Sequence, residues 1–296
     1  MSPSTRTGVF NALAAYFMWG LAPIYFKLIA DISADEIMIH RVLWSTIFLA
    51  VIVVAMKKWS ALKAILTNPK LLTGLAITAS FLGVNWFMFI WAVNNDHLLD
   101  ASLGYYINPL FSVALGVMFL GERLRKWQLL AVLLAIIGVL IQLVALGTLP
   151  IISLALAGTF GIYGLLRKKI HVDSFVGLLI ESLLMLPIAL AYWWFFVTSE
   201  TSNLGNNELS LNLLLMAAGL VTTAPLLCFT AAAKRLTLSA LGFFQYIGPS
   251  MMFVLATFYY QEPFNPVKLV TFGLIWAALI VFSVDSIRHN ASRRQS

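Results

Sequence analysis

Apolar residues in this chain of 296 residues gather into long blocks rather than alternating with polar ones. A helix crossing the hydrocarbon core of a bilayer needs about 20 mostly apolar residues. Ten blocks meet that requirement: 8–30, 37–56, 71–94, 101–120, 127–146, 150–167, 174–197, 211–233, 238–260 and 267–286. Several joints are very short, such as Gly147-Thr148-Leu149 and Lys234 to Thr237, and only 198–210 forms a loop of any length. The pattern predicts an all-α membrane protein of ten transmembrane helices, with no room for a soluble domain. The first block, headed by Arg6, has the outline of a secretory leader. It is longer than the apolar region of such a leader and contains Lys27, so it reads as a span.

Two blocks carry the same phrase. Leu103-Gly104-Tyr105-Tyr106-Ile107-Asn108-Pro109 is followed 13 residues after the proline by Glu122, and Leu241-Gly242-Phe243-Phe244-Gln245-Tyr246-Ile247-Gly248-Pro249 is followed at the same distance by Glu262. The copies lie 140 residues apart, which divides the chain into halves 1–146 and 147–296 of five spans each. A duplicated unit with an odd number of spans must lie upside down relative to its twin, an arrangement common in secondary transporters.

Composition and charge sharpen this picture. Apolar residues make up 61% of the chain and charged ones 10%, against about 25% charged in soluble domains. With the N-terminus placed in the cytoplasm, 16 of the 19 Lys and Arg fall on the cytoplasmic side and Lys268 alone on the other, while Lys27 and Arg41 lie within spans. Such a bias sets orientation by the positive-inside rule, with both termini cytoplasmic. The net charge of +7 is therefore a topology signal and calls for no nucleic-acid partner. The loop after Glu122 carries Arg123, Arg125 and Lys126, whereas its twin after Glu262 carries Pro263, Asn265 and Pro266. The phrase is repeated and the charges are moved, as inversion demands. Cys228 is the sole cysteine, so no intramolecular disulfide forms.

Ten helices in two inverted halves, with Pro-x12-Glu closing the fourth and ninth, resemble the drug/metabolite transporter superfamily in its EamA branch, and the RarD permeases within it. Ala14-Ala15-Tyr16-Phe17-Met18-Trp19-Gly20, Ala34-Asp35-Glu36-Ile37 with His40-Arg41, Asn85-Trp86, Phe89 to Asn95, Ala101 to Tyr105 and Leu241 to Pro249 carry the likeness, which runs nearly end to end. The resemblance implies a bacterial inner-membrane permease, for a substrate that a chloramphenicol-sensitivity label leaves undefined. Helix 1 lacks the carboxylate found in the four-helix multidrug members of the superfamily, a departure that puts proton-coupled drug antiport in doubt.

Ionisable side chains inside apolar helices cost about 2.5–3.5 kcal/mol at the centre by insertion scales and call for a partner or a role. Lys27, His40, Arg41 and Glu181 qualify. Arg41 and Glu181 are 140 residues apart and so correspond between halves. Arg41 reads either as a cation snorkelling to the outer interface or as a pathway residue. Glu181 snorkels poorly and is the candidate for coupling to protons; Glu181→Gln is expected to remove or uncouple transport while leaving folding intact. His40 lies four residues after Glu36, on one helix face with it, and reads either as a local pair or as a pH gate. Lys27 reads as snorkelling or as an anion contact.

Trp19, Asn85, Trp86, Tyr105, Tyr106, Asn108, Tyr163, Phe243, Gln245 and Tyr246 join them as substrate-pathway candidates, each beside Gly, Pro or amide positions in the repeated helices. Gly20 with Pro23, Asn108-Pro109 and Gly248-Pro249 are expected to interrupt their helices, which in a membrane marks backbone lining a polar cavity. Glu122 and Glu262 read as carboxylates accepting from the amides that open the next helix. Gly158, Gly161 and Gly164 suggest close helix packing, and Trp193-Trp194-Phe195-Phe196 an interfacial belt.

No Cys/His cluster has metal spacing, and neither metal nor cofactor is expected. A pump driven by ATP would need G-x-x-x-x-G-K-[ST], which is missing. The reading is a permease moving a small organic solute by alternating access, with membrane lipids as its surroundings. The alternative is an intramembrane enzyme acting on a lipid-soluble substrate, for which Asp96-His97 and Asp100 are the faint candidates. Nothing in the sequence sets an oligomeric state, since ten spans can be complete in one chain.

Overall fold

The computed structural model describes residues 3–95, 98–147, 151–259, 261 and 266–292. Twelve α-helices occupy them: α1 Pro3–Leu28, α2 Ala34–Ala55, α3 Trp59–Leu66, α4 Pro69–Asn94, α5 Leu98–Leu120, α6 Lys126–Leu146, α7 Ile151–Lys169, α8 Ser174–Phe196, α9 Leu209–Ala233, α10 Leu238–Gln245, α11 Ile247–Val254 and α12 Pro266–Ser292. Ten helical stretches among them are long and apolar enough to span a membrane, the ninth being built from α10, α11 and a π turn at Leu255–Tyr259. The short α3 lies between the second and third spans. No strand occurs among the described residues. In helices nearly all backbone groups pair within their own segment, as hydrocarbon requires.

Local chemistry marks several helix ends. The Asn68 side chain accepts from the amides of Lys70 and Leu71 with Pro69 opening α4, and Asp173 accepts from Phe175 and Val176 to open α8. Gly147, at φ 71°, closes α6 in a left-handed conformation that costs glycine least. Large apolar side chains point outward along the spans: Trp194 is 85% exposed and Ile188 74%. A water-soluble surface of that kind would aggregate, but lipid covers it. Trp194, Phe195 and Phe196 thus sit as a belt should, whereas Trp193 turns inward against the His40 ring at 5.4 Å.

The extensive packings run between the two halves of the chain. They are α5 on α7 and α10, α6 on α12, α1 on α9 and α11, α2 on α8 and α9, and α4 on α7 and α8. Exchanging each span for the one five places along returns the same set of pairs. Glycines permit the closest approaches. Gly158 and Gly161 lie against Phe111 and Leu115 of α5, and Gly164 against Phe229 of α9. At Gly219 of α9, an added Cβ would meet the Trp44 carbonyl carbon at 2.5 Å and the Ser45 nitrogen at 2.6 Å. Backbone cannot rotate out of the way, so Gly219→Ala must push α2 and α9 apart. We expect a loss of about 3 kcal/mol, the upper end for overpacking, measured as a lowered melting temperature of the detergent-purified protein.

One expectation fails here. Pro23 and Pro109 lie inside continuous helices α1 and α5, and only the ninth span breaks, at Tyr246 between α10 and α11. Removing one amide donor does not halt a helix when neighbours close round the freed carbonyl. Separately, Gly242 of α10 lies so close to α5 that an added Cβ would stand 2.7 Å from the Pro109 carbonyl oxygen.

Candidate functional site

Two polar clusters lie within the bundle, one towards each end of the spans. The first is built on Arg41, seven residues into α2 and so about 10 Å from its start at 1.5 Å per residue. Its Nε donates to Thr222 Oγ1 of α9 at 2.8 Å, and its guanidinium carbon stands 4.6 Å from the centre of the Trp86 ring of α4. Tyr25 of α1 and Tyr105 of α5 are its electrostatic neighbours. The Tyr25 hydroxyl donates to the Leu214 carbonyl at 2.9 Å, which fixes that ring. Tyr105 is 43% exposed, its ring 6.4 Å from that of Phe89. Side chains of α9 and α4 thus meet this cation directly, a guanidinium held by Thr222 beside the Trp86 ring.

The second cluster is fully buried. Glu181, at the same depth in α8, accepts from Thr78 Oγ1 of α4 at 2.5 Å and from the Tyr163 hydroxyl of α7 at 3.4 Å. Arg167 of α7 faces it with Nε 3.6 Å from Oε1, and both side chains have 0% exposure. That separation is an ion pair but no hydrogen bond, and all three guanidinium nitrogens lack a hydrogen-bond partner. Gly177 leaves the space they occupy, since a Cβ there would stand 2.6 Å from Arg167 Nη1. Just outside, Lys234 caps α9 and donates to the Val172 carbonyl and to Ser174 Oγ. Burial first, and then the Arg167 charge, pushes its ammonium down to about 8.

Between the clusters lies a seam where the two repeated phrases meet. The Gln245 amide donates to Ser112 Oγ at 3.0 Å and the Tyr246 hydroxyl to the Tyr106 carbonyl at 3.2 Å. Buried polar atoms without partners gather nearby: the Tyr16 hydroxyl, Gln245 Oε1 and Asn108 Oδ1. Such groups are rare in folded proteins and ask for an explanation. Trp19 belongs to an aromatic cluster with Tyr16, Phe160 and Phe229, at ring separations of 5.4, 5.9 and 5.9 Å. A hollow of about 380 Å³ bordered by Leu21, Met251 and Trp276 is apolar.

The remaining candidates fall outside these clusters. Asn85 ties α4 to α7 through the Leu156 carbonyl and Thr159. Tyr106, Phe243 and Tyr246 pack into an apolar core, Phe243 stacked on Phe282 at 4.0 Å. Lys27 is exposed in the last turn of α1. His40 accepts from the Trp44 indole at its Nδ1, while Glu36 is held by Ser199 and Thr201, so the two share a face without bonding. Glu122 does accept from the amides that open a helix, but of α10 rather than α6: Leu238 N at 2.6 Å, Ser239 N at 2.8 Å and Ser239 Oγ at 2.7 Å. Glu262 lies outside the described residues. The sequence reading missed Thr222, Thr78 and Arg167. Arg167 is followed by Lys168 and Lys169 and is one of the 16 cytoplasmic cations of the charge bias.

Comparison with known proteins agrees with this architecture. The model of the EamA-like transporter family matches residues 6–144. The chain is 56% identical to Protein RarD of Escherichia coli over 283 residues, 96% of each chain. It is 53% identical to an uncharacterized transporter of Vibrio cholerae, covering 98% of this chain and 96% of that one. Against the chloramphenicol-sensitive protein RarD of Pseudomonas aeruginosa it is 32% identical over 95% of both. A crystal structure of 18% identity superposes over 95% of this chain and 97% of its own with a TM-score of 0.73, which speaks for the fold alone. These bacterial relatives, with ten spans and the repeated phrase, make the chain a multi-pass membrane protein of the EamA-like transporter family, in the RarD group of the drug/metabolite transporter superfamily.

Proposed function

We propose that the protein is a secondary transporter of the bacterial inner membrane that moves a small organic solute by alternating access, its halves 1–146 and 147–296 inverted about the membrane plane. The observation that carries this reading is the packing pattern: the main helix pairs run between halves and are unchanged when the halves are exchanged. Inversion of a five-span unit gives that symmetry and places a path where the halves meet. In the orientation set by the basic residues, the Arg41 cluster lies towards the outside and the Glu181–Arg167 pair towards the cytoplasm.

On the cytoplasmic side the halves are held together by charge. Lys58 pairs with Asp173 at 2.5 Å, Arg125 with Asp285 at 2.5 Å, and Glu122 grips the start of α10. Burial raises the Asp173 carboxyl, but the Lys58 hydrogen bond, the amides of Val176 and Phe175 and the Lys58 charge together hold it below its ordinary value of 3.8. This link is therefore in force at physiological pH and fails only in acid below that value. We read these contacts as the closed inner gate, with a polar route through Tyr16, Gln245 and Asn108 as the way from one cluster to the other. Glu181 is the buried carboxylate through which protons would couple.

Flux of solutes into proteoliposomes of purified protein, with hydrolysis assays in parallel, tests the reading. Turnover of a substrate without movement of any solute would favour an enzyme instead. Reporter fusions after residues 64, 98, 204 and 264 are expected to read inside, outside, outside and outside. The opposite readings at 64 and 98 would reverse the orientation.

A further inference from the structure

The two clusters are counterparts of opposite charge, and among the described residues only one of them has a counter-ion. Arg41 and Glu181 are 140 residues apart and equally deep in α2 and α8. Each is bonded to a threonine of the span that corresponds to the other's, Arg41 to Thr222 of α9 and Glu181 to Thr78 of α4. Each has a tyrosine from the preceding span beside it, Tyr25 or Tyr163. Around Glu181 the charge is balanced by Arg167. Around Arg41, among the described residues, no carboxylate makes a salt bridge, and the neighbours are a hydroxyl, two phenols and an indole.

We propose that Arg41 is the anchor for the carboxylate of an organic monoanion whose apolar body lies along Trp86 and Tyr105. The inference rests on the transporter reading for the path that leads to the site. With Nε engaged by Thr222, the guanidinium offers its two terminal nitrogens end-on, a fork that fits the two oxygens of one carboxylate. Trp86 fixes the plane of that fork by cation–π contact, a role that lysine fills poorly. Tyr105 is an electrostatic neighbour of Arg41 and brings a further hydroxyl to this end of the bundle. One guanidinium whose described neighbours are neutral balances one negative charge. A phosphate dianion would leave a charge uncompensated in a poorly hydrated site, which disfavours it. The aromatic walls favour a solute with an aromatic or alkyl body over a small hydrophilic acid.

The test compares three acids, phenylacetate, benzoate and hexanoate, with their neutral amides at millimolar concentration, on purified full-length protein. Thermal stabilisation gives binding and proteoliposomes give flux. The wild type is expected to be stabilised saturably by at least one acid and by none of the amides. Binding is expected to fall about ten-fold or more in both Arg41→Gln and Arg41→Lys, because the lysine keeps the charge but not the fork. Trp86→Leu should weaken it to a smaller extent. The proposal is overturned if acids stabilise the wild type no better than amides, a comparison that stands even should an Arg41 variant fail to fold. It is equally overturned if Arg41→Gln binds the acids as the wild type does. Binding of acids at Arg41 with no flux would keep this site and sink the transporter reading. Flux of a neutral solute untouched by Arg41→Gln would do the reverse.

Discussion

Replacing Arg167 by leucine is expected to cost about 3–5 kcal/mol of stability, the usual result of leaving one charge of a buried pair alone. Glu181 would keep only the Thr78 and Tyr163 hydroxyls, at 0% exposure, with the more distant Lys234 as its remaining cation. Glu181→Leu strands the guanidinium instead, and with no hydrogen-bond partner for any of its three nitrogens the penalty should be at least as large. The double variant removes both charges, and apolar replacements of a buried pair are often neutral or better. Melting of the detergent-purified protein should therefore fall steeply in each single variant and recover largely in the double one. Two small single-variant shifts that simply add would mean that the pair is not formed in the folded protein. The same logic revises the expectation for Glu181→Gln: with Arg167 facing it, that change lowers stability as well as transport, so flux must be scored on folded protein.

Glu122→Ala should be nearly as severe. The carboxylate takes three donors at the start of α10, two backbone amides and the Ser239 hydroxyl. Hydrogen bonds to a charged group contribute about 1.5–3 kcal/mol each, and they share one anion at the positive end of a helix, so about 3–5 kcal/mol in all is expected. Glu122→Gln should recover little of this, because its NH₂ would face an amide donor. Gly116→Ala should mimic both, since its Cβ would stand 2.6 Å from Glu122 Oε2. Faster amide hydrogen exchange across 238–245 is the readout that localises the effect. If exchange there is unchanged while the protein melts earlier, the contact is not what holds α10 to the first half.

Most of the fold was legible because the bilayer imposes it. Span length and the positive-inside bias are one-dimensional properties, and the ten blocks read from the sequence coincide with the ten helical stretches. The Tyr-Ile-x-Pro phrase marked α5 and α10 as counterparts, and the structure packs them on each other, with Tyr246 bonded to Tyr106. Pro109 misled for a physical reason. Whether a proline breaks a helix depends on what surrounds the carbonyl it frees, which the local sequence does not set.

The candidate clusters were legible only in part. Arg41 and Glu181 stood out because charge is rare in apolar helices, and their offset of 140 linked them. Thr222, Thr78 and Trp86 lie in other spans, and no local pattern connects them with either charge. Arg167 looks like one of three basic residues at a helix end, and the space that Gly177 leaves on the facing helix is seen only in three dimensions. The sequence by itself determined that this chain crosses a membrane ten times and which blocks do so, since transfer from water to lipid is a sum over neighbouring residues. The tertiary structure alone decided which charges are neutralised, because balance of charge depends on distances between helices that lie far apart in the chain.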